Sequence, residues 1–363
     1  MKFIPVSEPD ISGNEKKYVV DCIETGWISS LGKYVAEFEE KFSRYCDTKY
    51  GVAVNNGTSA LHLALAAVGI EPGDEVIIPD MTFIATANVI AYLGGKPVFV
   101  DSEPKTWNID ASKIEAKITK KTKAIMPVHL YGHPCYMDTI SEIAEKHSLY
   151  VVEDAAEAHG AEYKGKKVGG LGHVGCFSFY GNKIITTGEG GMCVTNDEEL
   201  AEKMRLLKDH GMSASKRYWH NVMGFNFRMT NIQAAIGVAQ LEKIDSFVEK
   251  KRQNAALYAS LLKDVKGLTL QAEEKYAKNV YWMYSILVNS GYGMSREKLI
   301  EKLKNAEIDS RPFFYPMHEQ PIYATKEKFP VAEEIAAKGL NLPSSVKLSK
   351  SDIERIASAI AKR

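Results

Sequence analysis

The chain has 363 residues, with 46 Lys plus Arg balanced by 46 Asp plus Glu and a hydrophobic content of 45%. That length admits two domains with a large core, and the charge balance excludes a dedicated binder of nucleic acid or membrane surface. Five cysteines without a Cys-x-x-Cys pair exclude a disulfide framework and a zinc site, and no apolar run approaches the ~20 residues that span a bilayer.

The opening stretch, Met1 to Pro9, has no long apolar core and no small-residue cleavage site, which predicts a cytoplasmic protein. Residues 1–12 carry two prolines and predict an extended arm. Apolar spacing at Tyr18, Val19, Cys22 and Ile23 predicts a helix over 14–25, ended by Gly26. Trp27 to Gly32 then reads as a loop and 33–46 as a second helix. From Ala53 short apolar runs alternate with helical patterns. Strands are predicted over 75–79, 97–101, 123–130, 149–154 and 176–180, and another after Gly190-Gly191. Helices are predicted after Thr58 and over 82–92, 109–118, 137–147 and 197–210. Repeated β-α units imply an α/β fold with a mainly parallel sheet between helices, and continuous apolar runs suit strands buried on both faces.

Residues 211–221 are polar and read as a loop. A long helix is predicted over 230–258. We divide the chain within it, into a large domain over 1–245 and a smaller α/β domain over 246–363. The second holds a strand at 281–288 and helices at 296–306, 331–338 and 351–361, the last behind an N-cap in Ser349-Lys350-Ser351-Asp352.

Three features carry chemistry. Lys183 lies in a Gly-, Thr- and Asn-rich turn between two apolar runs. Its ammonium cannot hydrate freely there, so the neutral amine becomes available to form a Schiff base with a carbonyl. Alone, such a lysine is a solvated turn residue. Asp154 ends an apolar run, where ligands gather in open α/β sheets, and its carboxylate suits a protonated ring nitrogen. Alone, it is a turn or capping residue. Gly57-Thr58-Ser59 opens an apolar helix, whose free N–H groups, dipole and two hydroxyls form a phosphate cradle. Alone, it is an ordinary N-cap.

Together the three resemble the DegT/DnrJ/EryC1/StrS sugar aminotransferases, fold type I enzymes that use pyridoxal 5'-phosphate (PLP). The resemblance covers nearly the whole chain. It includes Gly26-Trp27-Ile28-Ser29-Ser30, Thr82-Phe83-Ile84-Ala85-Thr86-Ala87-Asn88, Tyr218-Trp219-His220, Gly224-Phe225-Asn226-Phe227-Arg228, Tyr281-Trp282-Met283 and Ser310-Arg311-Pro312-Phe313. It implies a large domain with a mainly parallel seven-stranded-type sheet and a smaller C-terminal domain. It implies that Lys183 carries PLP, that Asp154 partners the pyridine nitrogen and that Phe83 stacks on the ring. Glu157 falls near the ring oxygen, where many members have Gln. Gly57, Thr58, Ser59 and Ser178 would hold the phosphate, together with Asn226 reaching in from a neighbouring chain. Trp27, His220, Arg311 and Phe313 would meet the substrate. Arg311 suits a diphosphate, because its fork donates two parallel hydrogen bonds, and it equally suits a surface ion pair.

The implied assembly is a homodimer, or a tetramer built from it, with sites shared between chains; no metal is implied. The implied reaction moves an amino group from L-glutamate to C4 of the nucleotide sugar GDP-4-keto-6-deoxymannose, in the synthesis of O-antigen or another surface glycan. Two alternatives stay open: a 4-aminotransferase for a UDP- or dTDP-4-keto-6-deoxyglucose, and a non-catalytic regulator that kept the fold. Relatives that remove a 3-hydroxyl carry His in place of the lysine, and this chain carries Lys183.

Overall fold

Seven short runs pair into one sheet in the order Tyr50–Val54, Gly191–Thr195, Val174–Ser178, Tyr150–Asp154, Thr122–Ile125, Glu75–Pro79, Lys96–Val100. The computed structural model in which they are seen describes residues 2–362. Met1 and Arg363, the outermost residues of the expected arm and C-terminal domain, lie outside the described residues. The five strands from Val174–Ser178 to Lys96–Val100 are parallel. Gly191–Thr195 runs against both of its neighbours.

Both faces of this sheet are covered, which explains the continuous apolar runs. Successive side chains of a strand point to opposite faces. Val76 and Ile78 accordingly pack into one core, with Leu61, Leu65 and Phe179, while Ile77 packs into another, with Ile125, Ile140 and Val151. The strands read as apolar throughout because each half of the alternation meets a helix layer.

A second sheet, antiparallel throughout, has the order Leu268–Leu270, Tyr284–Val288, Gly339–Leu342, Arg311–Pro312. Its core is separate and includes Tyr258, Leu299, Leu303, Ile353 and Ile356. Ile4 of the arm joins this second core and bridges to Ile308. The first residues of the chain therefore pack with the last third.

Three expected elements differ most, beside the strand at 281–288 and the helix at 82–92, which each begin three residues later. Residues 109–118 form only two short 3-10 turns, Ala111–Lys113 and Glu115–Lys117. Ile109 is used in a backbone bridge to Ser102, and Lys113 is drawn to Asp101 at 3.0 Å, so no helix builds up. The long helix over 230–258 is two helices, Asn231–Leu241 and Ile244–Leu262. At the break Glu242 accepts hydrogen bonds from Asn14 and Tyr18, both at 2.7 Å, and Lys243 donates to Ser12 at 2.7 Å. The arm and the first helix thus anchor the joint. The strand over 123–130 is shorter, Thr122–Ile125. Past it Val128 makes a single bridge to Asp154, and the chain turns at Tyr131, whose φ of 53° lies in the left-handed region.

Candidate active site

The site lies where several strands of the first sheet end. Val54 leads into the helix Gly57–Ala67, Pro79 leads towards Thr82 and Phe83, and Asp154 and Ser178 are themselves last residues of strands. They surround one cavity of about 820 Å³. Ligand sites at the carboxyl ends of strands are the rule in such sheets.

Lys183 is presented by the turn that joins Val174–Ser178 to Gly191–Thr195. Phe179 N donates to Gly190 O at 2.8 Å and Thr187 N to Phe179 O at 2.9 Å, which closes the base of the turn. The lysine side chain is 12% exposed, and its Nζ lies 3.8 Å from a Glu157 oxygen. Burial pulls its pKa below the ordinary lysine value, while the Glu157 and Asp154 carboxylates work in the opposite direction. The amine is therefore poised to lose its proton more readily than a surface lysine.

Asp154 is buried and held from two sides. Its carboxylate accepts from the Thr86 hydroxyl at 2.9 Å and from Ala156 N at 3.2 Å. Thr86 in turn meets Thr82, which lies just before its helix Ala85–Tyr92, at 2.8 Å. Burial pushes the Asp154 pKa up, and these donors together with Lys183 oppose it. Glu157 is pushed up to about 7, chiefly by burial. It accepts from Tyr131 N at 2.8 Å, an amide turned towards it by the left-handed backbone of Tyr131. Strained backbone of this kind concentrates at functional sites.

The expected cradle is built by close approach. A Cβ on Gly57 would lie 2.6 Å from Ser178 Cβ, so only glycine lets the helix start beside that strand end. Asn56 caps the helix by accepting from Ser59 N at 2.8 Å. Thr58, Ser59 and Ser178 line the cavity around this junction. A half-exposed ring, Phe83, lines it as well and lies 5.7 Å from Phe314. The residues present fit PLP: an amine, a carboxylate, a helix N-terminus with hydroxyls and a flat apolar ring all face one space.

The predicted residues divide into two sets. Gly57, Thr58, Ser59, Phe83, Asp154, Glu157, Ser178 and Lys183 line the cavity together. Asn226 is exposed and accepts from Arg228 at 3.1 and 3.3 Å. Trp27 is exposed and borders a separate groove with Asp21 and Asn231. His220 is exposed, with Nδ1 2.9 Å from His210 O. Arg311 is exposed and pairs with Asp309 at 3.0 Å, which realises the ion-pair alternative. Phe313 lies in the core. It is buried against Trp107 and Tyr131, and its neighbour Phe314 lines the cavity instead. Neighbouring residues of an extended segment face opposite ways, so Phe313 and Phe314 diverge. The sequence stretches that carry the resemblance contain Thr86 and Trp282, but neither has a role assigned from sequence. Thr86 had a readable signal, a second hydroxyl four residues after Thr82.

A buried lysine and a buried carboxylate at the strand ends, beside a helix-start cradle, define a PLP-dependent aminotransferase site. The comparisons agree. The description of the DegT/DnrJ/EryC1/StrS aminotransferase family matches residues 9–361. A GDP-perosamine synthase of Caulobacter vibrioides is 50% identical over 360 residues, covering 98% of this chain and 97% of its own. Streptomyces venezuelae DesV, solved in complex with a ketimine intermediate, is 36% identical with a TM-score of 0.91, covering 96% of this chain and 95% of its own. The PLP form of a putative sugar aminotransferase from Streptococcus pneumoniae is 30% identical with a TM-score of 0.93, covering 99% of this chain and 98% of its own. The chain belongs to the DegT/DnrJ/EryC1/StrS aminotransferase family.

Proposed function

We propose that the protein is a GDP-4-keto-6-deoxymannose 4-aminotransferase, which takes its amino group from L-glutamate and makes GDP-perosamine and 2-oxoglutarate. The observation that carries this reading is the 50% identity, over nearly the full chain, to an enzyme of that activity. Bound PLP supplies an electron sink, which makes the exchange of an amine for a carbonyl oxygen feasible. Lys183 supplies the amine that anchors the cofactor carbonyl. When not holding the cofactor, its Nζ would serve as the group that takes up and returns a proton, general base and then general acid. The Asp154 carboxylate, kept in place by Thr86 and the Ala156 amide, would partner a protonated ring nitrogen of the cofactor. Gly57 and the hydroxyls of Thr58, Ser59 and Ser178 would hold the phosphate at the helix N-terminus.

The remaining residues are read as contributions between chains. Asn226, His220 and Trp27 lie on exposed segments outside the cavity, with the exposed apolar side chains Ile28, Leu31 and Met223 near them in sequence. We place a second copy of the chain there, so that a homodimer, alone or within a tetramer, completes two sites. Arg311 is kept as a diphosphate contact that exchanges Asp309 for substrate. We keep two domains, 1–245 and 246–363; two separate sheets support them, although the helix Ile244–Leu262 contributes Phe247 to one core and Tyr258 to the other. Among the described residues no helix is long and apolar enough to cross a membrane. We place the enzyme in the cytoplasm, in surface-glycan synthesis.

The test is a pair of half-reactions. Glutamate should convert the loaded enzyme to the amino form of its cofactor, and GDP-4-keto-6-deoxymannose should return the original spectrum. Recovery with a UDP- or dTDP-4-keto-6-deoxyglucose alone would overturn the substrate. No response to glutamate would reopen the regulator reading.

A further inference from the structure

Trp282 lines the cavity, and no step described so far uses it. Its ring lies over the Nζ of Lys183, 3.8 Å from atom to ring centroid. The ring is held from several elements. Its indole N–H donates to Asn182 O, one residue before the lysine, at 2.8 Å. Its own carbonyl accepts from Lys251 Nζ at 3.0 Å, and Lys251 also donates to Ser344 O at 2.7 Å. Tyr131 stacks alongside at 6.3 Å and 19°. A Cβ on Gly132 would come within 2.9 Å of Trp282 N, so the backbone behind the ring is tightly packed. Trp282 itself is 5% exposed.

This arrangement answers a need of the chemistry. An aminotransferase lysine is unbonded for part of each cycle and must then hold a proton and give it back. A buried ammonium without a partner is disfavoured. A carboxylate alone would hold the proton too firmly, because an ion pair in a buried site resists separation. An aromatic face attracts the ammonium within about 6 Å but carries no net charge. It also attracts the neutral amine far less, so it favours one protonation state without competing for the proton.

We propose that Trp282 is the resting place of the freed Lys183 side chain, its indole face receiving Nζ whenever the lysine is not bonded to the cofactor. This rests on the reading of Lys183 as the cofactor lysine. Other groups also face the lysine. Glu157 and Asp154 favour its charged form, and His159 is kept neutral, its pKa pushed down to about 3 by burial. Lys251 touches the carbonyl side of Trp282. It is a positioning residue, and burial pulls its pKa down to about 7.

The test uses the full-length protein stripped of cofactor. Wild type, Trp282→Phe and Trp282→Leu are acetylated with limiting acetic anhydride from about pH 6 to about pH 10, and each lysine is followed by peptide mass spectrometry. The pH midpoint for Lys183 reports its protonation, whereas greater access alone would change the rate without moving the midpoint. Trp282→Leu is expected to lower the Lys183 midpoint by about half to one pH unit, with the phenylalanine variant between it and wild type. Surface lysines serve as internal controls and stay put. In the loaded enzyme, kcat for the glutamate half-reaction should fall about tenfold with the glutamate KM little changed. An unmoved Lys183 midpoint in a natively folded Trp282→Leu protein overturns the proposal. If that variant does not fold, an unmoved midpoint in Trp282→Phe does so. Failure of wild type to respond to glutamate would instead overturn the aminotransferase reading, and the midpoint shift would stand on its own.

Discussion

The two ends of the site are built in different ways. Most of the residues expected at the cofactor lie together in one chain, with Asn226 the exception. Lys183, Asp154, Glu157, Ser178 and Gly57 are buried or nearly so and lie at or just beyond strand ends, with the Asp154 and Glu157 carboxylates held by hydrogen bonds from Thr86 and Tyr131. The substrate end is dispersed. Trp27, His220 and Arg311 stand exposed, Arg311 on the edge strand Arg311–Pro312, and the side chains of His220 and Arg311 meet His210 and Asp309 of their own chain. The contrast follows from what each end must do. Shifting the pKa of a lysine and two carboxylates needs burial, which only a packed sheet end supplies. Recognising a large anionic sugar nucleotide needs donors that water can reach before the ligand arrives, and a second chain can bring them.

Removing the chemistry should have the largest effect. Lys183→Ala should lower amine transfer by about a thousandfold or more while leaving the melting temperature near wild type. Residual turnover close to wild type would refute the assignment. Gly57→Ala comes next. Its methyl group would meet Ser178 at 2.6 Å, so the junction must open, at a cost of about 1–3 kcal/mol in stability and with weaker PLP affinity. Calorimetry and a PLP titration read both.

Glu157→Gln probes the burial of charge. Its folded pKa is raised to about 7, above the unfolded value, so the native state binds the proton more tightly. The Glu157 contribution to stability is therefore fully present below the unfolded pKa and is lost as pH rises towards 7. Denaturant melts of cofactor-free protein between these limits should show a pH dependence in wild type that flattens in the glutamine variant. A parallel slope in both would contradict the burial argument. Thr86→Val should cost about 1 kcal/mol and slow turnover modestly, because Asp154 loses its side-chain donor. Arg311→Ala should change stability by less than about 0.5 kcal/mol, since its pair with Asp309 is exposed, while the KM for the nucleotide sugar rises. An unchanged KM would remove Arg311 from the substrate end.

The same contrast explains what the sequence could reveal. Asp154 and Lys183 stood out because a charged group beside an apolar run is a local anomaly, and the Gly57-Thr58-Ser59 start of a helix is a local signal. The strand order and the reversed strand Gly191–Thr195 were not readable, because pairing partners lie far apart in the chain. The break at Glu242 depends on Asn14 and Tyr18, more than two hundred residues earlier, and no helix periodicity could mark it. The 109–118 stretch misled because its apolar spacing is helical, while Ile109 is claimed by Ser102. Phe313 and Phe314 are chemically equal neighbours. Which of them faces the cavity is set by the edge strand Arg311–Pro312, a tertiary choice.

The comparison of the two ends is tested most directly by mixing two defective chains. Lys183→Ala lacks the cofactor lysine, and the double variant Asn226→Ala/His220→Ala lacks the groups assigned to the neighbouring site. Each alone should be nearly inactive. After unfolding and refolding together, about half of the dimers are mixed, and in each of these one site has its lysine from one chain and its Asn226 and His220 from the other. Activity should then return to roughly a quarter of wild type. If the mixture shows no more activity than the separate variants, Asn226 and His220 are not supplied across chains, and the contrast between a buried single-chain set and an exposed shared set is wrong.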